Sequence, residues 1–268
     1  MGTIMGSVLL DHDPGTVGSL FDMQACFRYT LSNRFNNKMT GGGRAMDVVE
    51  AIKNRKSIRC FKSDPVPKEV IGEILEIAGR APSAMNTQPW EFMVLAGELL
   101  ENIRKANLEN LYSGVPRQPE HTVVGWQRGS IYWDRQVGLA KQIFTLMDIQ
   151  REDKEKRAQW SERGFRYFDA PAAILLLTDK ALSADGPLLD LGAVMQTICL
   201  TALNYDLGTC IEDQGTGFPE TLRRFAPIPD SKRIIISIAI GYPDWGFTGN
   251  KLETIRQPVE NYVTWCGF

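Results

Sequence analysis

Histidine is almost absent from this chain, with only His12 and His121 among 268 residues. Two isolated imidazoles neither complete the usual zinc spacings nor carry a catalytic argument, so no metal and no catalytic histidine are expected. The cysteines, Cys26, Cys60, Cys199, Cys210 and Cys266, are odd in number and scattered, with no Cys-x-x-Cys pair. That pattern carries no disulfide framework and points to a reducing cytoplasm. No apolar run approaches the roughly 18 residues of a membrane-spanning helix. The start also lacks the basic-then-apolar order of a secretory signal. A net charge of -2 argues against bulk attraction to nucleic acid or an anionic membrane, so any positive site has to be local. Nor is there a Gly-x-Gly-x-x-Gly turn of the kind that receives a pyrophosphate.

What remains is an ordinary globular composition, 43% hydrophobic and 23% charged, in a chain long enough to bury a sizeable core. Residues 1–45 show no clear periodicity and close on Lys38-Met39-Thr40-Gly41-Gly42-Gly43. They read as a weakly ordered N-terminal extension ahead of a domain over 46–268. From Met46 a helix is expected to about Lys56, and another over 68–80 after Pro65 and Pro67. Apolar runs at 91–96, 172–178 and 234–240, with a shorter one at 209–212, predict strands. A long helical region is expected over 99–161 and a helix over 188–205. Helices interspersed among strands make this an α+β chain with a central mixed β-sheet flanked by helices.

Two segments carry chemistry. Arg55-Lys56-Ser57-Ile58-Arg59 packs three positive charges and a hydroxyl into five residues at the end of an apolar helical pattern, and the planar fork of arginine suits a phosphate. Ala81-Pro82-Ser83-Ala84-Met85-Asn86-Thr87-Gln88-Pro89-Trp90 is a loop of small, amide and hydroxyl side chains. It can offer hydrogen bonds to the edge of a flat polar ring. A phosphate grip followed by a heteroaromatic grip points to a nucleotide-like cofactor, specifically flavin mononucleotide (FMN). Cys210, with no basic partner beside it, reads as a packed small hydrophobe and not a nucleophile.

The ordered set Arg55-x-Ser57-x-Arg59-x-Phe61, Ala81-Pro82-Ser83-x-x-Asn86-x-Gln88-Pro89-Trp90 and Gly241-Tyr242-Pro243 resembles the FMN-dependent nitroreductase family. Asp169-Ala170-Pro171, Asp190-x-Gly192-Ala193-x-x-Gln196, Leu207-Gly208-Thr209-Cys210 and Asn250…Arg256-x-Pro258 fall where that pattern has similar groups. Within the family the chain looks nearest to the nitrobenzoate and nitroaromatic reductase branch.

The resemblance implies a nitroreductase-like fold in a domain-entwined homodimer, with FMN at the interface and NADH or NADPH as electron donor. It places Arg55 and Ser57 on the FMN phosphate and ribityl chain, with Arg59 close by and Lys56 keeping a charge without the fork. Arg256 is the further cation brought from afar, although Thr254 stands where many relatives carry lysine. Pro82, Ser83, Ala84, Met85, Asn86 and Gln88 would reach over the ring from the opposite subunit, with Ala84 and Met85 departing from the common residues. Cys210, Ile211 and Glu212 would run along the flavin, a main-chain N–H near Glu212 pointing at N5. The aromatics between Tyr112 and Phe168 would supply core, interface and a lid over an aromatic small-molecule acceptor. No protein acid or base is implied, since flavin N5 carries the chemistry. Quinone or enone reduction, dehalogenation and non-catalytic flavin binding stay as alternatives.

Overall fold

Ala172–Asp179 (β2) holds seven consecutive buried residues, a pattern that only a strand covered on both faces satisfies. The computed structural model describes residues 46–123 and 125–268; the extension read over residues 1–45 lies outside them. β2 sits inside a four-stranded sheet with Glu91–Ala96 (β1), Gly208–Glu212 (β3) and Lys232–Gly241 (β4), in the order β1-β2-β4-β3. Its three ladders are antiparallel. The parallel component of the sheet is one bridge, Ser57 to Thr209.

Alternation along β2 divides the core in two. Ala172, Ile174 and Leu176 face Lys68–Ala78 (α2) and Leu188–Leu203 (α6), packing on Ile71, Ile74 and Ile198. Ala173, Leu175 and Leu177 face Gly97–Tyr112 (α3) and Pro219–Phe225 (α7), packing on Leu100, Ile103 and Leu222. Each such aliphatic side chain, once buried, contributes about 1.5–3 kcal/mol. Val48–Asn54 (α1) precedes α2 and is capped by Asp47, whose carboxylate accepts from Val49 N–H at 2.7 Å.

The long helical region expected over 99–161 is broken into α3, Ile131–Leu146 (α4) and Lys154–Glu162 (α5). Gly114 at φ 71° and then Pro116 stop α3, because neither suits a continuing helix. Ser130 and Asp153 cap the next two helices through their side chains. The first helix stops at Asn54 and not Lys56, since Arg55 turns out to ψ 122° to bring the following residues to the sheet. Helix α7, begun by Pro219 in its first turn, was not anticipated.

Between α5 and β2 the backbone turns left-handed at Tyr167, Phe168 and Asp169, with φ of 54°, 54° and 59°. This costs roughly 1–2 kcal/mol per residue and is offset by sinking Tyr167 and Phe168 into the core. Arg104 holds the turn by donating to the carbonyls of Arg166 and Ala170.

Ile58 crosses the sheet beside Gly208, where a Cβ would meet Ile58 Cγ1 at 2.5 Å and Pro243 Cγ at 2.8 Å. Gly208→Ala is therefore expected to destabilise the fold by roughly 1–3 kcal/mol through overpacking. Equilibrium denaturation reads this as a lowered midpoint; an unchanged midpoint would show that the crossing is loose.

Candidate functional site

The segment after α1 is sewn across the ends of β3 and β4 by main-chain bonds. Ile58 N–H donates to Thr209 O at 2.9 Å, Lys62 N–H to Tyr242 O at 2.8 Å, and Asp244 N–H to Cys60 O at 3.1 Å. Asn250, 1% exposed, completes the seam. Its Oδ1 accepts from Arg59 N–H at 2.7 Å, while Nδ2 donates to Cys60 O and Asp244 O, both at 2.8 Å. Arg163 Nη2 donates to Arg59 O at 2.9 Å. Ile58 and Phe61 point into the core, which leaves Arg55, Lys56, Ser57 and Arg59 half-buried at the rim.

This brings the cationic segment onto β3, the edge strand of the described sheet. Among the described residues, no carboxylate lies within ion-pair distance of Arg55, Lys56, Arg59 or Arg256. Positive charge gathered beside the outer edge of β3, with no described carboxylate paired to it, suits an anion. Cys210 and Cys199 lie within its field. Burial pushes the Cys210 thiol up to about 12, and Arg59 only partly opposes it. Cys199 is likewise raised by burial, against Arg55. Both stay protonated near neutrality, and the Cys210 side chain belongs to the core.

Glu212 ends β3 with its side chain turned inward. Gly215 N–H donates to its Oε2 at 2.7 Å, and the Ser237 hydroxyl is within bonding distance of both its Oε1 and, at 3.0 Å, its main-chain O. Burial pushes this carboxyl up to about 7, against the donors from Ser237 and the Gly215 and Gln214 amides. The loop beyond it is tied at every step. Arg117 donates to Asp213 O and Oδ2, Gln214 Nε2 to Ser161 O, Tyr167 Oη to Gly215 O, and Gln118 N–H to Gly217 O. A Cβ on Gly215 would meet the Tyr167 ring at 2.4 Å, and one on Gly217 the Arg117 Nε at 2.7 Å.

The loop carrying Pro82, Ser83, Ala84, Met85, Asn86 and Gln88 is anchored to α6. Ala84 N–H donates to both oxygens of Asp190, at 3.2 and 3.3 Å, in the first turn of α6. Gln88 N–H donates to Ser83 Oγ at 3.0 Å, and Gln88 Nε2 to Asn86 O at 2.8 Å. Left-handed φ at Met85, Asn86 and Gln88 forms a tight knuckle that leaves Met85 95% exposed. Arg256 lies in the exposed C-terminal segment and donates to Thr254 Oγ1 at 2.8 Å. A single chain thus joins residues 55–59 to 210–212. No described hydrogen bond or ion pair links 82–88 or Arg256 to that cluster.

Arg163, Arg117 and Ser237 escaped the sequence reading. For Ser237 a signal existed: it is the lone polar residue in the apolar run Ile234–Ile240, and a buried hydroxyl there needs a partner. The two arginines sit in polar surroundings with no pattern to mark them.

The Nitroreductase family model matches residues 52–242. The 4-nitrobenzoate reductase of Pseudomonas putida is 29% identical over 225 residues, 83% of this chain and 96% of that protein. The chloronitrobenzene nitroreductase of Comamonas testosteroni is 29% identical over 81% of this chain and 96% of its own length. Among solved structures, the FMN and NADPH-dependent nitroreductase NfnB of Sphigopyxis sp. strain HMH superposes with a TM-score of 0.79 at 26% identity. That match covers 83% of this chain and all of the other. The α+β sheet, the seam across its edge and these likenesses agree: the chain belongs to the nitroreductase family.

Proposed function

We propose that this protein is an FMN-dependent NAD(P)H oxidoreductase that reduces nitroaromatic compounds as a cytoplasmic homodimer. The observation that carries the reading is the cluster Arg55, Lys56, Ser57 and Arg59 on the outer edge of β3, with no ion-pair partner among the described residues. It fits a terminal phosphate lying beside a ring that takes backbone hydrogen bonds. Arg55 and Ser57 would hold the phosphate and ribityl chain, with Lys56 and Arg59 adding charge, while Cys210, Ile211 and Glu212 lend main chain to the ring. FMN held there would supply the redox chemistry, a two-electron exchange at N5 with NADH or NADPH and then, with protons from solvent, with the acceptor, the two substrates using one pocket in turn.

The homodimer follows from what one chain leaves facing outward. No described hydrogen bond or ion pair ties the 82–88 knuckle or Arg256 to the cation cluster, and a second copy would put them on it. Apolar side chains stand exposed on α1 (Val48, Val49 and Ile52) and in the C-terminal segment (Ile255, Tyr262 and Trp265). Patches of this kind mark association surfaces. The four described cysteines are free, in keeping with a reducing compartment.

Most aromatics between Tyr112 and Phe168 are already engaged. Phe165 packs on Phe218, Trp160 stacks on Phe247, Phe144 lies under Arg157, and Tyr112 donates to Glu162. Trp126 and Tyr132 form an exposed pair, 5.5 Å between centroids, with Arg135 over the Tyr132 ring. Exposed rings of this kind would suit stacking on a planar acceptor.

The protein is expected to purify as a dimer with FMN in equal number to its subunits. Arg55→Ala and Arg256→Ala should each weaken FMN binding by roughly 1.5–3 kcal/mol, about ten- to hundredfold in the dissociation constant. If both variants hold flavin through dialysis as the parent does, the phosphate assignment fails. Turnover of a panel of nitrobenzoates and dinitroarenes, beside quinones and enones, tests the substrate class. Parallel steady-state lines with nitro reduction are expected; quinone or enone turnover alone would sink the nitroaromatic reading. Trp126→Ala should raise KM for the nitroaromatic more than it lowers kcat, and an unchanged KM would remove this residue from the lid.

A further inference from the structure

The Ser237 hydroxyl carries one hydrogen, yet two Glu212 oxygens lie within its reach: carboxyl Oε1 and main-chain O. Which of them receives that hydrogen depends on whether Glu212 is ionised. An ionised carboxylate takes it at Oε1. A protonated carboxyl donates its own hydrogen to Ser237 Oγ, and the Ser237 hydrogen then turns to the Glu212 carbonyl. The Glu212–Asp213 peptide is trans, as is every peptide bond in the described chain. Since its carbonyl faces Ser237 on β4, planarity directs the Asp213 N–H to the opposite side, the open edge of β3. A peptide whose carbonyl accepts a hydrogen bond is polarised and becomes a better donor at its N–H.

We propose that Glu212 and Ser237 form a positioning pair that aims the Asp213 N–H at the open edge of β3, and that proton uptake by Glu212 strengthens this donor toward the flavin. The inference rests on the FMN reading above. It is supported by the rigidity of the loop, which leaves the peptide little freedom except through this hydroxyl. Arg117 pins Asp213 O, Gly215 N–H pins Glu212 Oε2, and no Cβ fits at Gly215.

The groups facing Glu212 are Tyr167 from the 164–169 turn, Cys210 on β3, and Asp213 with its partner Arg117. Arg104 of α3 acts through Tyr167. β4 contributes Ser237, which is uncharged. Burial places Tyr167 and Cys210 well above neutrality, so Glu212, at about 7, is the member of this set that changes charge there.

The test is the midpoint potential of bound FMN against pH, in the holoprotein. Beyond the slope and bend that the flavin's own proton uptake on reduction gives, the parent is expected to show a further inflection near neutrality that belongs to Glu212. In Glu212→Gln, whose amide mimics the protonated acid, the inflection should vanish and the potential should stay near the parent's low-pH value. Ser237→Ala removes a donor that favours the carboxylate, so its inflection should move to higher pH with a smaller change in potential. An inflection that persists unchanged in Glu212→Gln, or a flavin-loaded parent without one, overturns the inference. Should Glu212→Gln fail to fold, an unmoved inflection in Ser237→Ala overturns it and an upward move supports it. A parent that takes up no FMN overturns the reading beneath it as well.

Discussion

One hydrogen bond, from Ile58 N–H to Thr209 O, sets the geometry on which the candidate site depends. It converts a helix end into a strand-like crossing at the sheet edge. Ile58 is thereby drawn into the core while its neighbours Ser57 and Arg59 are held at the rim. Alternation along an extended backbone does the sorting. Asn250 guards the crossing by bonding three of its backbone groups, Arg59 N–H, Cys60 O and Asp244 O. Among the described residues no carboxylate pairs with the cations, and buried apolar contacts and main-chain bonds hold the segment down.

The far end of β3 is built by the opposite rule. There the chain buries a carboxyl and surrounds it with donors, then closes the following loop with glycines that allow the Tyr167 ring and Arg117 to approach closely. Such a site is costly to build and rigid once built. Rigidity is useful beside a cofactor that does its own chemistry, since the protein's part is to hold dipoles in place before the reaction begins.

The two ends belong to one chain, while the proposed ring-covering loop and the distant arginine do not reach them in that chain. Asp190 fixes the 82–88 knuckle to α6, and the C-terminal segment runs exposed past Arg256. The proposed dimer accounts for both facts and for the apolar side chains left uncovered on α1 and in that segment. Each copy would then carry half of two sites.

Much of this was legible in the residues themselves. Four apolar runs mark the four strands, and in β2 and β4 the run is nearly continuous because a strand covered on both faces has to be apolar almost throughout. The cationic segment and the ring-edge loop declare themselves by residue type and order. Local chemistry could also have split the expected 99–161 helix, since Gly114, Pro116 and the caps Ser130 and Asp153 all stand in the sequence. Tertiary structure alone decided the rest. The burial of the Glu212 carboxyl shows only once the sheet places Ser237 opposite it, and the role of Arg163 only once it meets Arg59 O. The physical reason is range. Propensity, periodicity and capping act within a few residues along the chain, whereas the burial of Glu212, the triple role of Asn250 and the clamp of Arg117 come from partners tens to nearly two hundred positions away.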